Sequence, residues 1–157
     1  MKRLINEYKT ICNEINTFYS IAPSDESLLK WNFSIIGPPD TIYEGGIFAG
    51  YINFPVTYPI SPPTVYFDNM IHPNVFKNGV VCISILHQGI DSSGYEKTYE
   101  RWTPTHTVDS IMVSIISMLT DPNFNSPANL DWSKMWQHDP DNYKHNIYKL
   151  VATTQKK

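Results

Sequence analysis

The chain has 157 residues, 41% of them hydrophobic, and a formal net charge of −3. That length suits one domain with a sizeable core, and the lack of clustered Lys and Arg excludes a general nucleic-acid binder. The longest apolar stretch, around residues 111–119, falls far short of the roughly 20 residues that a membrane span needs.

At the start, MKRLINEYKT carries charge but no apolar core followed by small residues, so no signal peptide is expected. With two cysteines and no such leader, free thiols in a reducing compartment are expected. Leu4, Ile5, Tyr8, Ile11, Cys12 and Ile15 recur at three- and four-residue spacings, which predicts a helix of about four turns with one apolar stripe. Cys12 lies on that stripe and reads as a small buried hydrophobe. From Lys30 the period becomes two, with Trp31, Phe33 and Ile35 alternating against Asn32 and Ser34, which predicts a strand. The turn-rich GPPDTIYEGG (37–46) joins it in hairpin fashion to a second strand over 47–54. A third, over 64–67, follows FPVTYPISPP, whose prolines make that piece an ordered surface loop.

The later half reads as helical. Thr107 is the expected N-cap of VDSIMVSIISML, which is apolar on most sides and so reads as a buried central helix. Asp121-Pro122 stops it. SPANLDWSKMW and DPDNYKHNIYKLV predict two further helices, with Pro140 near a helix start. The order implies an α+β fold in a single domain over 1–157: an N-terminal helix, an antiparallel meander of about four strands, a central helix and C-terminal helices.

HPNVFKNGVVCISILH (72–87) carries the chemistry. Composition alone favours Cys82 as a core residue. Two local features shift that reading. Asn74 stands eight positions before it, and Asn78-Gly79 between them permits a sharp reversal. The reversal would return an amide donor to the thiol, as an acyl-transfer site requires for its oxyanion. Zinc is a weaker reading, since Cys82 and His87 offer one thin pair without a CxxC partner. A papain-like protease would need an activating histidine, itself oriented by a third group. Spacing alone leaves open whether His72, His87, His106, His138 or His145 could do so; none sits in a protease signature, and most read as surface or local hydrogen-bonding groups, with His72 bracing its own turn.

The combination of YPISPP, HPNVFKNGVVC, RWTP and DPNFNSP resembles the core of the ubiquitin-conjugating enzymes, in the family's order and over nearly the whole chain. GPPDTIYEGG, CISILH, GYEK, ERW, HTVDSIMVSIISML and SPAN resemble more closely the subgroup linked to degradation at the endoplasmic reticulum. That subgroup carries an insertion just after the active-site cysteine. The matching segment here is QGIDSSGYEKTYE, at about 88–100.

The resemblance implies roles. Cys82 would accept ubiquitin as a thioester from the activating enzyme and pass it to substrate lysines, building polyubiquitin chains for proteasomal degradation. No cofactor would be bound, because ATP is consumed upstream, and no phosphate-cradling GxxxxGK[ST] is present. Asn74 would be the oxyanion donor or the brace of the active-site loop, and the sequence leaves both open. Ser84 and Ser126 occupy positions where many family members place acidic residues that orient the incoming lysine. Asp91, Glu96 and Glu100 of the insertion are expected to supply that help, with Tyr95 as a packing contact, and the loop is expected to be mobile without a partner. A RING-type ligase would grip Arg3, Ile60, Thr103 and Pro104, while Lys2, Arg3 and Lys9 would face the activating enzyme. Val113 and Ser117 match positions where linked ubiquitin folds back, and one of them could be core. The expected setting is the cytoplasm, the nucleus or the cytosolic face of the endoplasmic reticulum, with protein substrates, no nucleic acid and no membrane span.

Overall fold

The computed structural model describes residues 1–156. Helix α1 (Lys2–Asn13) precedes four strands, β1 (Tyr19–Ser24), β2 (Ser27–Ile36), β3 (Ile47–Asn53) and β4 (Thr64–Phe67); α2 (Val108–Thr120), α3 (Leu130–His138) and α4 (Pro140–Thr154) follow. The strands form one antiparallel sheet in the order β1-β2-β3-β4, the meander expected from the short turns. β1 is the strand that alternation did not single out. It pairs with β2 from Tyr19↔Ile35 to Pro23↔Trp31, and a proline is tolerated there because the strand is an edge.

Inward-facing Trp31, Phe33 and Ile35 of β2, Phe48 and Ile52 of β3, and Val65 and Phe67 of β4 are all buried. Ile111, Met112, Ile115, Met118 and Leu119 of α2 are buried with them in a single core cluster. Two helices differ from the apolar pattern. In α2 the opposite face is open: Val113 is 55% exposed, and Ser117 and Thr120 are exposed too. The helix is therefore not buried on most sides, and neither Val113 nor Ser117 is core.

In α1, Ile5 and Cys12 are exposed, while Ile15 lies beyond the helix end, fully exposed. The buried residues are Leu4 and, unexpectedly, Glu7. The Glu7 carboxylate accepts from Val108 N–H at 2.7 Å, at the start of α2, and from Tyr58 Oη–H at 2.8 Å; Arg3 pairs with it. A negative group at a helix N-terminus meets unpaired amides and the positive end of the dipole. That polar partner rotates the buried face of α1 away from Cys12. No count of apolar letters contains it.

Thr107 caps α2 as predicted, its side chain accepting from Ser110 N–H at 3.2 Å. α3 begins later than SPAN, at Leu130, because Asn129 is the N-cap that accepts from Trp132 N–H. Asn129 also donates its N–H to Pro73 O at 2.9 Å. The stretch before α3 thereby holds the loop that carries Asn74. Pro140 occupies the first turn of α4 behind an Asp139 cap.

Candidate active site

The segment from His72 to Cys82 is assembled around two buried polar side chains. His72 accepts from Asn74 N–H on Nδ1 at 2.9 Å, and its Nε2–H donates to Met118 O at 2.8 Å. Burial pushes its pKa down to about 4, so the ring is neutral. Asn74 is equally buried. Its amide carbonyl accepts from Asn123 N–H at 2.8 Å and its Nδ2–H donates to Asn123 O at 2.9 Å, a two-point tie to the turn after α2.

The chain then reverses as the Asn-Gly pair predicted. Gly79 has φ +90, and a Cβ there would lie 2.3 Å from Phe67 O, so only glycine fits. Val75 and Val81 bridge across the reversal, and Cys82 N–H donates to Asn74 O at 2.9 Å. The cysteine is thereby tied to the asparagine eight positions earlier through backbone, not through the side-chain amide.

Cys82 is half-buried in the wall of an open groove of about 400 Å³. Asn74, Ser84, Ser126, Val113 and Ser117 line the same groove. Sequence reasoning therefore gathered residues that do meet, from four separated segments.

The insertion differs from its expectation in one respect: its three carboxylates are not free. Asp91 accepts from Glu96 N–H at 2.9 Å and from Ser93 N–H and Oγ–H, contacts that hold its carboxyl below the usual range. Glu100 accepts from Lys97 N–H at 2.7 Å and closes a 3-10 turn over Thr98–Glu100. Glu96 is taken by Ser84 Oγ–H at 2.9 Å, by His87 and by Arg101. Burial pushes the Glu96 carboxyl up, but these partners outweigh it and hold it low. Arg101 also donates to Gln88 O and Gly89 O, at 2.9 and 2.8 Å. Trp102 N–H meets His87 O at 2.9 Å, so the loop is pinched at its base. Tyr95 is half exposed, with its hydroxyl 3.3 Å from Asn123 Oδ1. Read one residue at a time, three carboxylates look like available charge; folded, they are the acceptors that order their own loop.

His87 is the residue that sequence reasoning passed over. Its Nε2 lies 3.5 Å from Cys82 Sγ, and its Nδ1 lies 2.8 Å from Glu96 Oε1. The available signal was its spacing from Cys82 across a 3-10 turn over Ser84–Leu86, which reverses the chain within one turn. Among the described residues no group of three or more His, Cys, Asp and Glu could hold a metal ion.

Ile60 is 70% exposed on the proline-rich loop, with Pro104 exposed and Thr103 half-buried in the chain just after Trp102. Trp102 Nε1–H donates to Pro59 O at 2.9 Å, which joins these two loops. Arg3 is not a free docking cation. It pairs with Glu7, and its Nη2–H donates to His106 O at 2.9 Å. Lys2 and Lys9 are exposed.

Residues 3–151 match the family model described as "Ubiquitin-conjugating enzyme". The chain is 48% identical over 155 residues to "Ubiquitin-conjugating enzyme E2 7" of Arabidopsis thaliana, covering 97% of this chain and 93% of the relative. It is 50% identical over 133 residues to "Probable ubiquitin-conjugating enzyme E2 7" of Caenorhabditis elegans, covering 83% and 81%. It is 43% identical over 154 residues to "Ubiquitin-conjugating enzyme E2 G2" of Homo sapiens, covering 96% and 91%. A meander packed on α2, a cysteine in a groove beside that helix, and a match spanning both make this chain a member of the ubiquitin-conjugating enzyme family.

Proposed function

We propose that Cys82 accepts the C-terminal glycine of ubiquitin as a thioester and hands it to substrate lysines with a RING-type ligase, building polyubiquitin chains for proteasomal degradation. The observation that carries this reading is the position of Cys82, half-buried in an open groove and tied through its N–H to Asn74 O. A nucleophile so placed admits a flexible acyl tail while its backbone stays fixed. Loading exchanges one thioester for another and is nearly balanced in energy, so its direction comes from ATP spent by the activating enzyme. The protein then needs no cofactor of its own. In discharge the sulfur is a good leaving group, and positioning, proton removal and oxyanion stabilisation suffice.

Val113 and Ser117, on the open face of α2, are suited to hold the linked ubiquitin. Ser84 and Ser126 at the groove cannot act as carboxylate bases. Asp91, Glu96 and Glu100 contribute by shaping the insertion, so that Tyr95 and the loop's outer surface meet the acceptor. Ile60, Thr103 and Pro104 form the ligase grip, with Arg3 positioning α1 beneath it, and Lys2 and Lys9 face the activating enzyme. The setting is the cytoplasm or nucleus, or the cytosolic face of the endoplasmic reticulum by recruitment.

The test is incubation with ubiquitin, activating enzyme and ATP, followed by a non-reducing gel. An adduct removed by thiol reductant is expected. Cys82→Ser should give a reductant-resistant ester, and Cys82→Ala no adduct; an adduct persisting in Cys82→Ala would sink the assignment.

A further inference from the structure

The 3-10 turn over Ser84–Leu86 brings His87 back beside Cys82, with Nε2 facing Sγ at 3.5 Å. On its other side Nδ1–H is held by both carboxylate oxygens of Glu96, at 2.8 and 2.9 Å. Glu96 is clamped in turn by Ser84 Oγ–H at 2.9 Å and by its ion pair with Arg101. A sulfur, an imidazole and a carboxylate in succession is an arrangement that moves protons at acyl-transfer sites on unrelated folds.

We propose that His87 is a catalytic residue of this enzyme, carrying the proton between the Cys82 sulfur and the incoming amine, with Glu96 as its positioning residue. The inference rests on the reading of Cys82 as the thioester carrier. In discharge the lysine nitrogen attacks the thioester carbon, a C–N bond forms, and the carbonyl electron pair moves onto oxygen. On collapse the C–S bond breaks, its electron pair leaves on sulfur, and the proton on Nε2 passes to that sulfur. The neutral ring then takes the surplus proton from the new amide nitrogen, which restores the imidazolium. In loading, the same positive ring stabilises the thiolate that attacks the activating enzyme's thioester.

Ser84 and Ser126 in the groove are hydroxyls and so poorer proton carriers, while Asp91 and Glu100 of the insertion lie outside the groove lining and accept from loop N–H groups. The resting ring is protonated near neutral pH, because its pKa is raised to about 9: contact with the Cys82 sulfur contributes most, burial opposes it, and Glu96 adds to the rise. The titratable and charged groups facing the ring are Cys82 and Glu96, with Arg101 behind Glu96. Asp121 lines the same groove from the end of α2, and Asp91 lines the adjoining cleft.

The test has two arms, both in a Cys12→Ser background because Cys12 is exposed and would also react. Alkylation by iodoacetamide is followed against pH on the free enzyme, and single-turnover discharge to free lysine is followed against pH on the charged enzyme. His87→Gln, which can still bond Glu96, removes the positive charge 3.5 Å from Sγ and should slow alkylation roughly tenfold near neutrality. It should slow discharge by about 10²-fold and remove one inflection of its profile. Glu96→Gln keeps an acceptor for Nδ1–H but no charge, so the inflection should shift to lower pH, an effect that a merely structural tie would not produce. Superimposable profiles for the parent and both variants, in both arms, overturn the proposal. Failure of the parent to charge at all overturns the thioester reading instead; the alkylation arm uses no ubiquitin and tells the two failures apart.

Discussion

Asn74→Ala separates bracing from oxyanion donation. The substitution removes both hydrogen bonds to Asn123, of 2.8 and 2.9 Å, from a site that is 1% exposed. Each such bond contributes about 1 kcal/mol net, and a buried void adds to the loss, so a cost of about 2–3 kcal/mol follows. For a chain of this size that corresponds to a fall in Tm of roughly 4–12 °C, read by calorimetry. Both steps run on a groove whose rim has come loose, so loading and discharge should slow by similar factors in single-turnover gels. Asn74→Asp keeps an acceptor for Asn123 N–H and should be less destabilising than alanine. The amide's second N–H has no partner among the described residues, and a pure oxyanion role would use it. That role predicts a different signature: parental Tm, intact loading, and discharge alone reduced by about 10²–10³-fold. This second signature would refute the brace.

Acid should destabilise the protein through His72: the unfolded ring binds a proton below its ordinary value of 6.5, the folded ring only below about 4. Unfolding therefore takes up a proton between those limits. This contribution is complete above pH 6.5 and is lost as pH falls through about 4, to the extent of roughly 3 kcal/mol. An NMR resonance of folded His72 titrating near 6.5 would contradict it. Gly79→Ala should cost more than about 1 kcal/mol in chemical unfolding, because the residue combines φ +90 with a Cβ contact of 2.3 Å to the Phe67 carbonyl; parental stability would show that the reversal relaxes freely. Glu7→Gln should lower the unfolding free energy by about 1–3 kcal/mol, since it weakens the acceptor shared by Arg3, Tyr58 and Val108, and an unchanged midpoint would oppose that account. Deleting residues 88–98 removes Glu96 along with the loop's outer surface, so charging and discharge to free lysine should slow as in Glu96→Gln and chain formation should fall furthest, each measured separately. Equal rates throughout would make the insertion a passive surface feature.

The order of elements was legible because hydrophobic period and turn chemistry are local properties. Trp31, Phe33 and Ile35 alternate, Thr107 caps, Asp121-Pro122 stops, and Asn78-Gly79 turns; each is decided within a few residues. Cys82 and Asn74 could be nominated together because only one reversal separates them. β1 escaped notice because an edge strand containing Pro23 buries too little to alternate clearly. Cys12 was misassigned and Glu7 went unnoticed because the polar partners that bury Glu7, Val108 N–H and Tyr58, lie far along the chain. The insertion shows the same limit. Its sequence displays Asp91, Glu96 and Glu100 as charge, but whether a carboxylate is available depends on which donors surround it. Ser84, His87 and Arg101 reach Glu96 only after the 3-10 turn and the pinch at Trp102 have formed. Sequence by itself thus determined most of the elements, which follow from short-range pattern, while Cys82 was singled out by its place beyond the Asn-Gly reversal and by the family resemblance. Tertiary structure decided which polar groups face one another, because hydrogen bonds act over about 3 Å of space and not along the chain.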